Sequence, residues 1–361
     1  MRIFALAMAI NKVHIDEFLE LAKTMPVVDV RSPGEYHHAH IPGAFSLPLF
    51  SNEERKVVGT AYKQESREKA IKIGLDYFGK KMVTVVEEAE AILKQSKNDS
   101  RHIGVHCWRG GMRSAAIAWL LDLYGFKVYL LVGGYKVYRH WVLEQYEKNY
   151  VLHVVGGYTG GNKTGIIHEL KKLGEPVIDL EGLAKHMGSA FGNLDLIEQP
   201  SQEFFENLLA TELAALSGED GKTAIWLEGE SQRIGMVNLP FSFYKNMRRE
   251  AIFFMDIPFE KRLEHIIKIY GKFDKDKFIS AIIRIKKKLG GLETKNAVNA
   301  LLEDDIQGCF RILLHYYDKL YLKSTSTAKE EEGKVTYVIS ETTDAKLNTQ
   351  LVLNHVRNGN Y

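Results

Sequence analysis

The stretch HIGVHCWRGGMRSAAIAWLLDLYGF, residues 102–126, decides the fold of the first half of the chain. It begins with an apolar run typical of a buried strand, which ends at Cys107, and it continues into an apolar segment that Gly125 ends as a helix. The apolar run PVVDV precedes this stretch, and KVYLLVGG follows it. Strands that alternate with helices predict a parallel sheet covered on both faces, and therefore an α/β fold.

The segment between this strand and this helix has the composition of an anion-binding loop. Backbone N–H groups of a tight glycine-containing turn point inward, and the following helix adds the partial positive charge of its N-terminus. These dipoles favour a thiolate, so Cys107 is predicted to have a lowered pKa and to act as the catalytic nucleophile. Gly110 and Gly111 permit close approach of a ligand, and Arg113 can contact an oxyanion through two N–H groups. The predicted loop comprises Trp108, Arg109, Gly110, Gly111, Met112, Arg113 and Ser114.

A lone cysteine at a strand end is more often a buried structural thiol than a nucleophile. Cys309, which lies in an apolar helical segment, is interpreted in that way. For Cys107, the strand, the glycine loop, the arginine and the helix together favour the catalytic interpretation.

The second half of the chain repeats the strand–loop–helix pattern. The strand YVLHVVGG enters a glycine-rich loop, and further apolar strands follow, among them AIWLEGE and AIFFMDIP. From residue 260 to about residue 323 the sequence is helical in pattern and rich in lysine. We therefore predict two α/β domains, residues 1–145 and 146–361, the second with a basic helical extension.

The second glycine loop is GYTGGNKT, residues 157–164. It matches the phosphate-binding pattern G-x-x-x-x-G-K-[ST], except that Asn162 replaces the second glycine. Asparagine tolerates a left-handed backbone better than other non-glycine residues, so the turn is expected to survive. A diphosphate site is predicted, and competence for nucleotide hydrolysis does not follow from the pattern. Its residues are Gly157, Gly160, Gly161, Lys163 and Thr164, with Thr164 as a candidate magnesium ligand and with Glu228, Glu230 and Arg233 as candidates for magnesium or phosphate support.

Composition narrows the classes of protein. The 361 residues carry a net charge of +2, so a nucleic-acid surface must be a local patch. Two distant cysteines exclude a disulfide framework and a cysteine-based metal cluster, which fits a reducing compartment. The first ten residues lack the pattern of a secretory signal, and no window has the roughly 20 apolar residues that span a bilayer. We expect a cytoplasmic protein without a membrane segment.

DVRSPGEYHHAHIPGA, residues 29–44, resembles the signature of rhodanese-like domains. The resemblance implies a rhodanese fold in which Cys107 carries sulfur, while Asp29 and Arg31 pair structurally near the loop. In sulfurtransferases of this fold, the loop that follows the cysteine is one residue shorter. The spacing Cys-x5-Arg found here also matches cysteine phosphatases, so phosphatase and sulfurtransferase both stay open as alternatives.

A larger set of stretches resembles the bacterial tRNA 2-selenouridine synthases. They run in order along the chain and include SNEERKVVGTAYKQ, HCWRGGMRS, GGYKVYR, GGYTGGNKT, DLEGLAKHMGSAFG, LEGESQRIG, IKKKLGG and LLHYYDKLY. The chain departs from the family pattern at Asn162, Met187 and Gln232. The resemblance implies that selenium replaces sulfur in wobble 2-thiouridine of tRNA, by way of a geranylated intermediate, with a perselenide on Cys107. Selenophosphate and geranyl diphosphate are the implied co-substrates, with no tightly bound cofactor. A selenophosphate-producing enzyme is the implied functional partner.

Basic residues suggest where tRNA could bind. A charge run is more often a solvated helix face than a binding site, and consecutive lysines spread around a helix. A non-catalytic tRNA-binding or persulfide-relay protein is therefore a further alternative. The candidate contacts are Tyr135, to stack on an unpaired base, with Lys136, Arg139, Arg284, Lys286, Lys287 and Lys288 for phosphate. The sequence does not predict an oligomeric state.

Overall fold

The computed structural model describes residues 10–97, 100–186, 198–218, 221–270, 274–327 and 335–359. The chain divides into two compact units, Met1–Glu144 and Gln145–Tyr361. Within the described ranges, no helix is long and apolar enough to cross a membrane. Met187 and the charged segment at residues 329–334 lie outside the described residues.

The first unit is a five-stranded parallel sheet with helices, and its strand order is β1-β5-β4-β2-β3. Four of the five residues of its central strand are buried, as expected when a parallel strand is covered on both faces. The elements in chain order are β1 (Asn11–Val13), α1 (Ile15–Ala22), β2 (Val27–Asp29), α2 (Pro33–His38), β3 (Phe45–Ser46), α3 (Asn52–Gln64), α4 (Arg67–Gln95), β4 (His102–His106), α5 (Met112–Tyr124), β5 (Lys127–Leu131) and α6 (Gly134–Gln145).

Strand β4 and helix α5 position the predicted nucleophile. Ile103 and Val105 of β4 pack with Ile117 and Leu121 of α5 in one core cluster, and all four side chains are wholly buried. Gly125 ends α5 in a left-handed conformation with φ of 101°. Cys107 follows β4 directly, so it emerges at the carboxyl end of the central strand. The parallel sheet and the helix predicted from residues 102–126 are confirmed.

The second unit also contains a five-stranded parallel sheet, with strand order β12-β11-β6-β8-β7. Its elements are β6 (Leu152–Gly157), α7 (Lys163–Lys172), β7 (Val177–Ile178), α8 (Leu180–Ala184), α9 (Gln202–Leu216), β8 (Ile225–Glu228), β9 (Arg233–Ile234), β10 (Val237–Asn238), α10 (Phe241–Met247), β11 (Ala251–Asp256), α11 (Phe259–Tyr270), α12 (Lys275–Arg284), α13 (Lys286–Leu289), α14 (Gly291–Leu302), α15 (Ile306–Thr327), β12 (Val335–Ile339) and α16 (Ala345–Arg357).

Helices α11 to α15 form a helical layer with an apolar cluster of its own, which includes Phe278, Ile282 and Phe310. Cys309 lies inside this cluster and is wholly buried. Burial and the charge of Asp305 raise the pKa of the Cys309 thiol to about 12. The interpretation of Cys309 as a core residue is confirmed.

Candidate functional site

The loop after β4 surrounds a buried sulfur with several exposed residues. The Cys107 residue is 3% exposed, whereas Trp108, Arg109 and Met112 are exposed. Gly110 adopts φ of +64°, a conformation that glycine reaches without strain. The Ser114 hydroxyl lies 3.1 Å from the Cys107 sulfur and 3.1 Å from the carbonyl oxygen of Gly111. The loop is therefore closed across its base by Ser114.

The surroundings of Cys107 favour its ionised form. Burial raises the pKa of the Cys107 thiol, but hydrogen bonds from the Ser114 hydroxyl and from the backbone N–H groups of Arg109, Ser114 and Gly111 lower it further than burial raises it. The net pKa lies below that of an ordinary cysteine. A thiolate at the N-terminus of α5 is the arrangement that makes a cysteine nucleophilic.

The start of helix α6, at Gly134, contacts the backbone of this loop. The backbone N–H of Tyr135 donates to the carbonyl oxygen of Cys107 at 2.8 Å, and the N–H of Lys136 donates to that of Trp108 at 3.0 Å. Gly134 has φ of +61°, and a Cβ atom there would lie 2.3 Å from the carbonyl oxygen of Cys107. The first turn of α6 therefore fixes the backbone on which the thiolate sits.

Tyr135 belongs to this support and not to a nucleic-acid surface. Its side chain is wholly buried, and the guanidinium carbon of Arg31 lies 3.8 Å from its ring centroid. Its ring also contacts Trp108, with centroids 5.7 Å apart. A ring enclosed in this way has no free face, so the prediction that Tyr135 stacks on an unpaired base is wrong.

Asp29 and Arg31 form a buried ion pair under the loop. The Arg31 Nη2 atom lies 2.6 Å from Asp29 Oδ2 and also donates to the carbonyl oxygen of Ala39 at 2.6 Å. Burial raises the pKa of the Asp29 carboxyl, but the neighbouring His106 and Arg31 lower it below its ordinary value. The predicted structural pairing of these two residues is confirmed.

Glu35 binds Arg113, although it was not among the predicted site residues. Arg113 Nη1 donates to Glu35 Oε2 at 2.9 Å, and Arg55 Nε donates to the same oxygen at 3.0 Å. Burial opposes ionisation of Glu35, but the guanidinium of Arg113 and its other donors lower the pKa to about 2. The available signal was its position in the rhodanese-like stretch. A contact between Arg113 and an oxyanion stays a prediction.

The second loop keeps the predicted left-handed turn despite its missing glycine. Asn162 lies in the left-handed region, with φ of 59° and ψ of 40°, directly before α7. Its side-chain amide donates to the carbonyl oxygen of Thr343 at 2.8 Å, which holds this conformation. Lys163 Nζ donates to the carbonyl oxygen of Gly157 at 3.3 Å. The expectation that asparagine preserves the turn is confirmed.

The carboxylate of Glu181 faces this loop, although Glu181 was not among the predicted site residues. The Thr164 hydroxyl donates to Glu181 Oε2 at 2.7 Å. Burial and the charge of Glu230 raise the pKa of Glu181 to about 7, although Thr164 and Lys163 act in the opposite direction. Strand β7 ends at Ile178, and Asp179 caps the short helix α8, which places Glu181 beside Thr164.

The other predicted supports of the loop lie in different surroundings. Glu228 is wholly buried and accepts the backbone N–H of Leu180 at 2.9 Å. Burial, with the charges of Asp179 and Glu181, raises the pKa of Glu228 well above its ordinary value. A role of Glu228 in magnesium or phosphate support stays a prediction. Arg233 is exposed and donates to the carbonyl oxygen of Gly235 at 2.8 Å.

A magnesium ion fits this loop only together with a phosphate ligand. Thr164 and Glu181 offer oxygen atoms, which magnesium prefers. Among the described side chains, no group of three or more His, Cys, Asp or Glu could hold a metal ion by itself. Substrate phosphate oxygens and water would have to complete the coordination.

The remaining basic candidates are accessible. Arg284 ends α12, and α13 is a single turn that carries three exposed lysines, Lys286, Lys287 and Lys288. In the first unit, Lys136 is exposed and Arg139 is half-buried. Accessibility agrees with a role in tRNA binding and equally with a solvated surface, so these contacts stay predictions.

Each of the two units matches a known protein-family model. The family model described as a rhodanese-like domain matches residues 14–140, and the model described as the tRNA 2-selenouridine synthase AAA domain matches residues 150–346. The chain is therefore a rhodanese-like domain followed by an AAA-type P-loop domain, as the fold and the two loops indicate.

Relatives identify the family. The tRNA 2-selenouridine synthase of Nitrosomonas eutropha is 33% identical over 347 residues, which cover 83% of this chain and 88% of that protein. That of Bdellovibrio bacteriovorus is 32% identical over 361 residues, covering 88% and 93%. The chain belongs to the tRNA 2-selenouridine synthase family. The resemblance found in the sequence is confirmed, and the relatives do not favour the phosphatase or sulfurtransferase alternatives.

A solved structure also shares sequence with part of the chain. It is the N-terminal domain of a protein from Clostridium difficile 630, which is 40% identical and covers 37% of this chain and 99% of that chain, with a TM-score of 0.34.

Replacing Ser114 by alanine should slow the reaction of Cys107 with iodoacetamide about tenfold at neutral pH, which is the factor expected for loss of one hydrogen bond to a charged group. The thiolate is the reactive form, and this change removes its side-chain donor. The measurement is the alkylation rate against pH, which should shift to higher pH. Ser96→Ala, distant in the same unit, is the matched control, and Cys309 should stay unlabelled. A wild-type profile like that of free cysteine would contradict the anion loop.

Proposed function

We propose that this protein is a tRNA 2-selenouridine synthase that replaces sulfur by selenium in wobble 2-thiouridine. The single observation that carries the proposal is the Cys107 loop, with its lowered thiol pKa, in a chain of this family. Selenophosphate is proposed as the selenium donor and geranyl diphosphate as the donor of an activating group. The reaction is proposed to occur in the cytoplasm, with selenophosphate supplied by a separate enzyme.

Geranyl transfer is assigned to the loop of the second unit. The sulfur of 2-thiouridine attacks C1 of geranyl diphosphate, so that a C–S bond forms, the C–O bond to diphosphate breaks, and N3 of the base loses its proton. Lys163 and the backbone N–H groups before α7 suit the diphosphate leaving group. Magnesium bound with the diphosphate would neutralise part of its charge, and Thr164 and Glu181 are the residues that would hold it.

Selenium transfer is assigned to Cys107. A perselenide formed by attack on the selenium of selenophosphate would release phosphite or need a two-electron oxidant, because this selenium is already fully reduced. Attack of the Cys107 thiolate on phosphorus balances without an oxidant: an S–P bond forms, the Se–P bond breaks, and selenide leaves. Selenide then displaces geranylthiol at C2 of the base, and water hydrolyses the S–P bond to give phosphate. A thiolate in a cup of N–H donors suits attack on a phosphate-like group.

The proposal is tested on tRNA nucleosides. In a strain that lacks this gene, mass spectrometry of digested bulk tRNA should show loss of 2-selenouridine with 2-thiouridine retained. Reintroduction of the intact chain should restore 2-selenouridine when selenium is supplied. Unchanged nucleosides in the deletion strain would refute the proposed function.

A further inference from the structure

Arg262 of α11 connects the phosphate loop of the second unit to the helical layer. Its side chain is almost wholly enclosed, with 4% exposed. Its Nη1 atom donates to the carbonyl oxygen of Thr159 at 3.1 Å, and its Nε atom donates to that of Ile257 at 3.0 Å. Arg262 therefore bonds directly to the backbone of the loop, between its first glycine and its lysine.

Asp318 of α15 holds Arg262 in this position. Asp318 Oδ1 accepts from Arg262 Nη1 at 3.0 Å, and Asp318 Oδ2 accepts from Nη2 at 2.8 Å. The guanidinium carbon also lies 4.9 Å from the ring centroid of Tyr158, the second residue of the loop. A planar guanidinium with two parallel bonds to a carboxylate has a defined orientation, which a single-point contact would not give.

The bond to Thr159 determines which way one loop peptide faces. The C=O and N–H groups of a trans peptide point in opposite directions, so holding the carbonyl of Thr159 toward Arg262 aims the N–H of Gly160 away from Arg262. Gly160 has φ of +83°, and a Cβ atom there would lie 2.7 Å from Ile266 Cδ1 and 3.0 Å from the carbonyl oxygen of Arg262. This side of the loop is therefore packed closely on α11.

We propose that Arg262 is a positioning residue for diphosphate, which sets the orientation of the Thr159–Gly160 peptide, and that Asp318 fixes Arg262 for this purpose. Backbone N–H groups bind phosphate well only when they are already aimed, because the loop then loses little entropy on binding. The inference rests on the proposed diphosphate site, and it assigns the affinity of that site partly to the helical layer.

Arg311 and Glu260 provide a matched control. Arg311 Nη1 and Nη2 donate to Glu260 Oε1 and Oε2 at 2.5 Å and 2.8 Å. This pair also joins α15 to α11 by a two-point arginine–carboxylate contact. No hydrogen bond from it to the loop is found among the described residues.

The experiment measures binding of inorganic pyrophosphate to the full chain by titration calorimetry. Arg262→Lys should raise the dissociation constant about tenfold, as expected for loss of a charge-assisted hydrogen bond, while Arg311→Lys should leave it unchanged. Arg262→Met combined with Asp318→Leu removes the pair without leaving a buried charge, so it should fold and show the same loss. Lys163→Ala serves as the reference for loss of a direct phosphate contact.

The outcomes distinguish failure of this inference from failure of the proposed diphosphate site. An unchanged dissociation constant in the folded double variant would overturn the role of Arg262 and leave the diphosphate site intact. Equal losses of pyrophosphate affinity in the Arg262 and Arg311 variants would show that Arg262 only stabilises the fold. This outcome would also overturn the inference. If the unaltered protein does not bind pyrophosphate, the diphosphate site itself is refuted, and the inference with it.

Discussion

Replacing Cys107 by serine should abolish selenium transfer to tRNA and leave geranylation of 2-thiouridine intact. A serine hydroxyl stays neutral where the thiol ionises, so the nucleophile is lost while the loop keeps its shape. The expected loss of selenium transfer is on the order of 10³-fold or more, the range seen when a catalytic nucleophile is removed. The measurement follows both products by mass spectrometry after reaction of 2-thiouridine tRNA with each co-substrate.

Cys309→Ser is the control for this change. It alters the other cysteine, which is buried in the helical layer and takes no part in the proposed chemistry, so both activities should be retained in the folded protein. Equal loss of geranylation and selenium transfer in a folded Cys107→Ser protein would contradict the division of the two reactions between the two loops.

Replacing Gly134 by alanine should remove selenium transfer almost as completely. The new Cβ atom would lie 2.3 Å from the carbonyl oxygen of Cys107, 2.6 Å from the backbone nitrogen of Gly110 and 3.0 Å from that of Arg109. These neighbours are all backbone atoms, so no side chain can rotate to relieve the overlap. The loop must shift, and we expect a loss of about 2–3 kcal/mol in the free energy of unfolding.

Gly43→Ala separates overlap from backbone strain. Gly43 also has a positive φ, of +81°, but no atom lies within 4 Å of the position of its Cβ. The Gly43→Ala change should therefore lower the free energy of unfolding only by the conformational penalty, about 1 kcal/mol, and the protein should retain selenium transfer. Chemical denaturation and the pH dependence of Cys107 alkylation measure the two effects. A Gly134→Ala protein with a normal alkylation profile would show that α6 does not support the loop.

The parts of the fold and site that follow from local pattern could be predicted from the sequence. The strand before Cys107, the helix after it and the two glycine loops each depend on residues a few positions apart. Asn162 could be predicted too, because left-handed backbone is a property of the single residue. The strand β12 was missed, since a run of only five residues beyond the lysine-rich segment gives little signal, and the helix α16 that follows it was not predicted either.

Residues that act through distant partners could not be predicted in this way. Glu35 meets Arg113 across 78 positions, and Arg262 meets Thr159 across 103. Tyr135 was assigned to the surface because an aromatic residue among basic ones resembles a base-stacking site. The structure encloses it, since Arg31 covers its ring. Sequence spacing carries no information about such pairings without the fold that creates them.

The contact between Glu35 and Arg113 has a consequence for acid tolerance. Folding lowers the pKa of this carboxyl from 4.5 to about 2, so the stabilisation that it provides is complete above pH 4.5 and disappears only as the pH falls toward 2. Buffers down to about pH 4.5 should therefore leave the ion pair between Glu35 and Arg113 intact, so acid unfolding of the first unit should not begin at this contact.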